Sequence, residues 1–114
     1  DMVGHTGSLE ASIRAMEFVD EAVGRVASAA EKLGYALLIT ADHGNCDQMY
    51  DRAKDGSLSI RTAHSLNPVP FIACFLDPAR TLKDGKFGLS SVAPTVAELL
   101  GLTPPEAWDE SLLA

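Results

Sequence analysis

The chain has 114 residues, of which 46% are hydrophobic, and its formal net charge is −7 at pH 7. This length and composition suffice for one folded domain with a modest core. The acidic balance argues against nucleic acid or an anionic membrane surface as a partner. There is no apolar run of the roughly 18 residues that a membrane span needs, and no signal-peptide pattern, so neither a span nor export is expected.

The two cysteines, Cys46 and Cys74, are too few for a disulfide framework. Reduced thiols in the cytoplasm are the default for such a chain, and we therefore expect a cytoplasmic location. Cys46 follows His43 by three residues, but no second cysteine stands at the spacing of a zinc knuckle. We therefore interpret Cys46 as a bystander to any metal chemistry.

The first predicted element is a long amphipathic helix. Ser8 is a suitable N-cap, and Gly34 is a suitable C-terminal stop. Between them the apolar residues recur every three or four positions, which predicts one helix with a single buried stripe. The segment 35–41 follows and is almost continuously apolar, which predicts a strand covered on both faces.

The second half of the chain predicts another strand and another helix. Segment 44–62 is polar and predicts a long surface excursion with a hairpin at Asp55-Gly56. Segment 71–76 predicts a second buried strand. Ser90 or Ser91 is expected to begin a helix that runs to about Leu100.

Asp42 and His43 come directly after the predicted central strand. In open α/β sheets, sites form beyond the carboxyl ends of the strands. Both side chains bind divalent transition metals, and both are common acid–base groups. A purely structural Asp–His pair at a turn would have the same sequence, so this motif alone does not distinguish a functional pair from a structural one.

Two further fragments favour a metal site over unrelated structural histidines. Asp1 and His5 lie four residues apart, and His64 lies in a third short polar segment. Two carboxylates and three imidazoles suit Mn²⁺, Zn²⁺, Co²⁺ or Fe²⁺. Five ligands exceed the shell of one tetrahedral ion and do not complete two shells, which suggests a two-metal site with some ligands outside this chain.

Three motifs, in this order, resemble the C-terminal part of the cofactor-independent phosphoglycerate mutases, a family of the alkaline phosphatase superfamily. They are Asp1-Met2-Val3-Gly4-His5-Thr6-Gly7, then Leu38-Ile39-Thr40-Ala41-Asp42-His43-Gly44-Asn45, then Thr62-Ala63-His64 with Asn67-Pro68-Val69-Pro70-Phe71. The resemblance runs from Asp1 to about Leu113. It implies a three-layer α/β/α sandwich with a mostly parallel sheet. It also implies that residues 1–114 are the C-terminal part of the metal-binding, phosphatase-like domain of a longer enzyme. The lack of an initiator methionine favours the same expectation.

The resemblance also implies a chemistry, the interconversion of 3-phosphoglycerate and 2-phosphoglycerate through a phosphoserine intermediate. It implies two divalent ions, with Mn²⁺ expected first and Mg²⁺, Co²⁺ or Zn²⁺ as alternatives. One ion would be held by Asp1, His5 and His64. The other would be held by Asp42 and His43, with an aspartate and a serine that lie outside this chain. That serine is the nucleophile, so we expect no catalytic residue within this chain and no activity from the chain alone.

Three alternative functions stay open on the sequence. A phosphopentomutase or a metal-dependent phosphohydrolase of the same superfamily would share the ligands, although the first motif favours the mutase. A non-catalytic metal-binding module would also share them. For the parent enzyme we expect phosphoglycerate as the small-molecule partner, with neither nucleic acid nor membrane. For the chain alone we expect self-association through exposed sheet edges.

Overall fold

A computed structural model describes all 114 residues, which divide into two compact units. The first unit, Asp1–Cys74, contains a short 3-10 helix (Gly4–Thr6), helix α1 (Leu9–Leu33) and strands β1 (Leu37–Thr40), β2 (Tyr50–Arg52), β3 (Leu58–Ile60) and β4 (Phe71–Cys74). The second unit, Phe75–Ala114, contains a 3-10 helix (Leu89–Ser91) and helix α2 (Val92–Leu99). Neither α1 nor α2 has both the length and the apolar character that crossing a membrane requires.

Helix α1 begins and ends where the sequence predicted. The Ser8 Oγ accepts a hydrogen bond from the Ala11 N–H at 3.3 Å, which satisfies one of the free donors of the first turn. Gly34 ends the helix in the left-handed region, at φ 70°. The apolar stripe, however, is not covered within this chain. Leu9, Ile13 and Met16 are more than half exposed, and Ser12 is the one fully buried residue of α1.

The prediction of a mostly parallel sheet is wrong for the strand pairs of this chain. Strands β1 and β4 pair antiparallel, with Leu37 opposite Cys74 and Thr40 opposite Phe71, and β2 and β3 also pair antiparallel. Continuous apolar runs predicted strands buried on both faces, as in parallel sheets. The strands here are only partly buried, and Ile72 of β4 is 48% exposed. Apolar content thus identified the strands but not their direction.

The antiparallel pairing positions the polar excursion. Because Thr40 lies opposite Phe71, the chain leaves β1 and re-enters β4 at the same end of the pair. The Thr40 hydroxyl donates to the Pro70 carbonyl at 2.9 Å and closes that end. Residues 41–70 therefore start and finish together, which brings the segment after β1 close to the segment before β4.

The hairpin predicted at Asp55-Gly56 is confirmed, and it joins β2 to β3. The Asp55 carboxylate accepts from the Ser57 N–H at 2.9 Å and from the Ser57 hydroxyl at 2.7 Å. Gly56 adopts φ 86°, which is strained for any residue with a Cβ. The Tyr50 hydroxyl donates to the Gly7 carbonyl and ties the hairpin to the N-terminal turn.

The second unit is built around Thr95, which is fully buried in α2. Its hydroxyl donates to the Ser91 carbonyl at 2.6 Å and accepts from the Leu112 N–H at 2.9 Å. Leu112 and Leu113 are buried beside it. The predicted helix after Ser90 or Ser91 is thus confirmed, and the C-terminal leucines pack within this unit.

We expect the 114-residue chain to self-associate. Each sheet has two strands, so every strand keeps one edge of unpaired N–H and C=O groups, and such edges pair readily with another chain. On β3, Leu58 and Ile60 are at least half exposed. Light scattering over a concentration series measures the mass. Ile60→Lys is expected to shift the equilibrium toward monomer, because an edge charge opposes pairing. A wild-type chain that stays monomeric at every concentration would contradict this expectation.

Candidate metal centre

The N-terminal turn places Asp1 beside His5. The Gly4 N–H donates to the Asp1 carbonyl at 3.0 Å, and the 3-10 turn brings the His5 Nε2 within 3.3 Å of the Asp1 Oδ1. Gly4 is buried, and a Cβ there would collide with the side chain of Asn45. The glycine in the first motif therefore makes room for a residue of the second motif.

Asp42 and His43 follow β1, as predicted. The His43 Nε2 lies 3.4 Å from the Asp42 Oδ1, and the His43 Nδ1 lies 3.3 Å from the Gly44 carbonyl oxygen. A carbonyl oxygen can only accept a hydrogen bond, so a bond between these two atoms requires a proton on Nδ1. The Nε2 lone pair is then available to bind a metal ion.

His64 joins the two groups into one cluster. Its Nε2 lies 3.1 Å from the Asp1 Oδ1, and its ring stacks on that of His43 with the centroids 3.5 Å apart and the planes 10° from parallel. The ring centroids of His5 and His64 are 5.1 Å apart. The structure therefore gathers the five residues that the sequence singled out, Asp1, His5, Asp42, His43 and His64.

One group of three potential ligand atoms combines members of both predicted sets. One ligand atom from each of Asp1, His43 and His64 lies within 4.8 Å of the other two. The resemblance predicted that His43 binds a different ion from Asp1 and His64. How these ligands divide between ions therefore stays a prediction.

The electrostatics of the cluster suit a cation. Desolvation lowers the pKa of His64 below its usual value, and Coulombic interactions with His43 and His5 lower it further, against an opposing contribution from Asp42. A lowered pKa favours the neutral ring at neutral pH, and only the neutral ring can donate a lone pair to a metal. Two carboxylates and three imidazoles, without a thiolate among them, form a donor set that fits divalent transition metals.

Asn45 and Arg61 form hydrogen bonds to residues of this cluster. The Asn45 Nδ2 donates to the Asp1 Oδ1 at 3.1 Å and lies 3.3 Å from the His5 Nε2. Arg61 forms an ion pair with Asp51 at 2.6 Å and donates from its Nη2 to the His64 carbonyl at 3.1 Å. The only signal for Asn45 was its place in the second motif.

A third supporting residue, Asp47, connects the two loops that carry the histidines. Its Oδ2 accepts from the Ser65 hydroxyl and from the Asn67 Nδ2, both at 2.6 Å. The bond from Ser65, and after it the bond from Asn67, lowers the pKa of the Asp47 carboxyl below its usual value. Asp47 is therefore a carboxylate at neutral pH, and it lies beside the ligands without being one of the cluster.

Comparison with known proteins defines the class. Residues 1–104 match the Metalloenzyme superfamily, and the chain belongs to that superfamily. The chain is also similar to two enzymes named 2,3-bisphosphoglycerate-independent phosphoglycerate mutase. It is 49% identical over 106 residues to the enzyme of Roseobacter denitrificans, covering 93% of this chain and 20% of that protein. It is 52% identical over 115 residues to the enzyme of Ruegeria pomeroyi, covering 99% of this chain and 22% of that protein.

The chain is also similar in structure to a solved phosphoglycerate mutase. The chain superposes on a Leishmania mexicana phosphoglycerate mutase, crystallised at low cobalt concentration, with a TM-score of 0.88 and 36% sequence identity. The superposition covers 100% of this chain and 23% of that one. The chain thus spans about one fifth of the length of the curated relatives it matches.

Proposed function

We propose that this chain is the C-terminal part of the metal-binding, phosphatase-like domain of a cofactor-independent phosphoglycerate mutase. The complete enzyme would interconvert 3-phosphoglycerate and 2-phosphoglycerate, a reaction of glycolysis and gluconeogenesis in the cytoplasm. The observation that carries the proposal is the single cluster formed by Asp1, His5, Asp42, His43 and His64 within a chain of the Metalloenzyme superfamily.

The proposed cofactors are two divalent ions, with Mn²⁺ expected first and Mg²⁺, Co²⁺ or Zn²⁺ as alternatives. Asp1, His5 and His64 would hold one ion, and Asp42 and His43 would contribute to holding the other. When bound, such ions supply positive charge that neutralises phosphoryl oxygens and activates a hydroxyl nucleophile. The two carboxylates would balance part of that charge, and the neutral imidazoles would orient the ions without adding charge.

The chain itself offers little else that would bind a phosphate. Its net charge is −7. Arg61, the cation bound to the backbone of His64, is already paired with Asp51. We therefore assign substrate binding to the ions and to basic residues elsewhere in the complete enzyme.

The nucleophile is likewise assigned to another part of the enzyme. Two hydroxyl residues directly follow a proposed ligand. Ser65 is 2% exposed and donates its hydrogen bond to Asp47, and Thr6 donates its hydroxyl to the Val3 carbonyl at 2.6 Å. A nucleophilic serine has to be accessible and free to lose its proton. In the same proposal, the remaining sequence adds the strands that complete a three-layer α/β/α sandwich with a mostly parallel sheet, and so covers the exposed face of α1.

The complete protein is expected to convert 3-phosphoglycerate to 2-phosphoglycerate without added 2,3-bisphosphoglycerate, and to lose this activity when a chelator removes its metal. Readdition of Mn²⁺ should restore the rate, because the ligands remain in place. An assay coupled to the consumption of 2-phosphoglycerate measures the rate, and bisphosphoglycerate addition is the control.

Other outcomes distinguish the remaining functions. Transfer of phosphate between positions of a pentose would indicate a phosphopentomutase, and release of inorganic phosphate would indicate a phosphohydrolase. Tight metal binding with no turnover of any of these substrates would indicate a non-catalytic metal-binding module. Activity that survives complete removal of metal would contradict the proposal.

A further inference from the structure

The loop after β1 and the loop before β4 are in close contact where Gly44 and Asp47 meet Ser65 and Asn67. Asp47 lies in the first loop, and its two partners, Ser65 and Asn67, lie in the second. Both bonds are short and end on one carboxylate oxygen. Hydrogen bonds to an ionised acceptor are about twice as strong as bonds between neutral groups. This carboxylate is therefore a firm connection between the two loops.

The backbone at this contact leaves no spare room. The Ser65 N–H donates to the Gly44 carbonyl at 3.0 Å, and Ser65 is 2% exposed. A Cβ on Gly44 would collide with the Ser65 hydroxyl and with the Asp47 carboxylate. The glycine of the second motif is thus needed for the two loops to approach each other closely.

The connection lies next to two ligands. His43 immediately precedes Gly44, and His64 immediately precedes Ser65, so the backbone bond between Gly44 and Ser65 sets the two histidines side by side. Their rings stack with the centroids 3.5 Å apart. Arg61 also holds the His64 carbonyl, but its other bond ends on Asp51 in strand β2, not on the loop that carries His43.

We propose that Asp47 is a positioning residue that fixes the spacing between His43 and His64. It acts through Ser65 and Asn67 and does not itself bind an ion. The effect on metal binding rests on the proposed function, whereas the effect on the two loops does not. Because the proposed ligand sets place His43 and His64 on different ions, Asp47 would hold the two halves of the centre at a fixed distance.

Asp55 provides a matched control. Like Asp47, it is a carboxylate that accepts two bonds from nearby polar groups, here the N–H and hydroxyl of Ser57. It lies in the hairpin turn and has no contact with any ligand. Asp47→Ala and Asp55→Ala make the same chemical change, so a difference between them reports on position and not on the loss of a negative charge.

The first measurement is Co²⁺ binding to the complete, metal-free protein. Titration calorimetry gives the affinity, and the visible spectrum of the bound ion reports on its coordination. Asp47→Ala is expected to weaken Co²⁺ binding about 10–100-fold, as replacement of outer-shell partners does at other metal sites, and to alter the spectrum. Asp47→Asn keeps an acceptor oxygen without the charge, so it should bind Co²⁺ more tightly than Asp47→Ala. Asp55→Ala should match the wild type.

The second measurement needs no metal. In the chelator-treated protein, Asp47→Ala should speed hydrogen–deuterium exchange in segment 62–67, which contains the Ser65 amide. Asp55→Ala should affect only the hairpin. Unchanged exchange in segment 62–67, or equal losses of Co²⁺ affinity in the two alanine variants, would overturn the proposal. A wild-type protein that binds no Co²⁺ would refute the metal function, and the exchange comparison would still decide the role of Asp47.

Discussion

His64→Ala in the complete enzyme is expected to remove one of the two proposed divalent ions and to lower kcat about a thousandfold. His64 contributes an Nε2 that lies 3.1 Å from the Asp1 carboxylate, and its ring forms the contact between His5 and His43. Without it, the first proposed ion would keep only Asp1 and His5. A bound metal contributes several kcal/mol of charge stabilisation in the transition state, which corresponds to a rate factor of this size.

Metal counting by mass spectrometry tests the first half of this prediction, and steady-state kinetics tests the second. The ion proposed to bind at Asp42 and His43 should remain. Lys54→Ala, at an exposed position of the hairpin turn, is the control and should leave the number of bound ions and kcat unchanged. Loss of both ions together would contradict the predicted division of ligands. It would instead indicate one shared cluster, as the close grouping of Asp1, His43 and His64 would allow.

The 114-residue chain by itself is expected to have no phosphoglycerate mutase activity, with or without added Mn²⁺. The structure contains the five proposed ligands, but Ser65 is buried and hydrogen-bonded, and Arg61 is paired. Ser65 is therefore not free to act as a nucleophile, and Arg61 is not free to bind a phosphate. Ions held by these residues alone would lack the group that accepts the phosphoryl from the substrate.

The same coupled assay measures this, with the complete enzyme at equal concentration as the positive control. Metal analysis of the purified chain is a second readout. We expect low occupancy, because Asp1 is a terminal residue and the second proposed ion has only Asp42 and His43. Interconversion of phosphoglycerates by the chain alone would contradict this prediction and would mean that a nucleophile lies among these residues.

Much of the local structure was predictable because local interactions determine it. Ser8 and Gly34 mark the ends of α1, since a side-chain acceptor and a left-handed glycine satisfy backbone groups that any helix leaves free. Asp55-Gly56 forms the predicted turn for an equally local reason. The five proposed ligands could also be singled out in advance, because carboxylates and imidazoles in short polar segments are chemically distinctive.

Strand direction and burial were not predictable in the same way. The apolar runs around β1 and β4 predicted strands but not the antiparallel register that sets Thr40 opposite Phe71. Pairing depends on which distant segment a strand meets, and periodicity within one segment carries no information about that. The stripe of α1 was recognised correctly as apolar, yet Leu9, Ile13 and Met16 remain more than half exposed.

The sequence by itself thus determined the elements, their ends and the ligand types, since each depends on residues a few positions apart. Only the tertiary structure decided that the proposed ligands lie together and which hydrogen bonds surround them. The contact between the rings of His43 and His64 lies beside the hydrogen bond from Ser65 to Asp47, which joins residues 18 positions apart in the chain. These two residues can meet because β1 and β4 pair antiparallel and because Gly44 has no side chain in the way. Neither condition can be deduced from the pattern of residues along the chain.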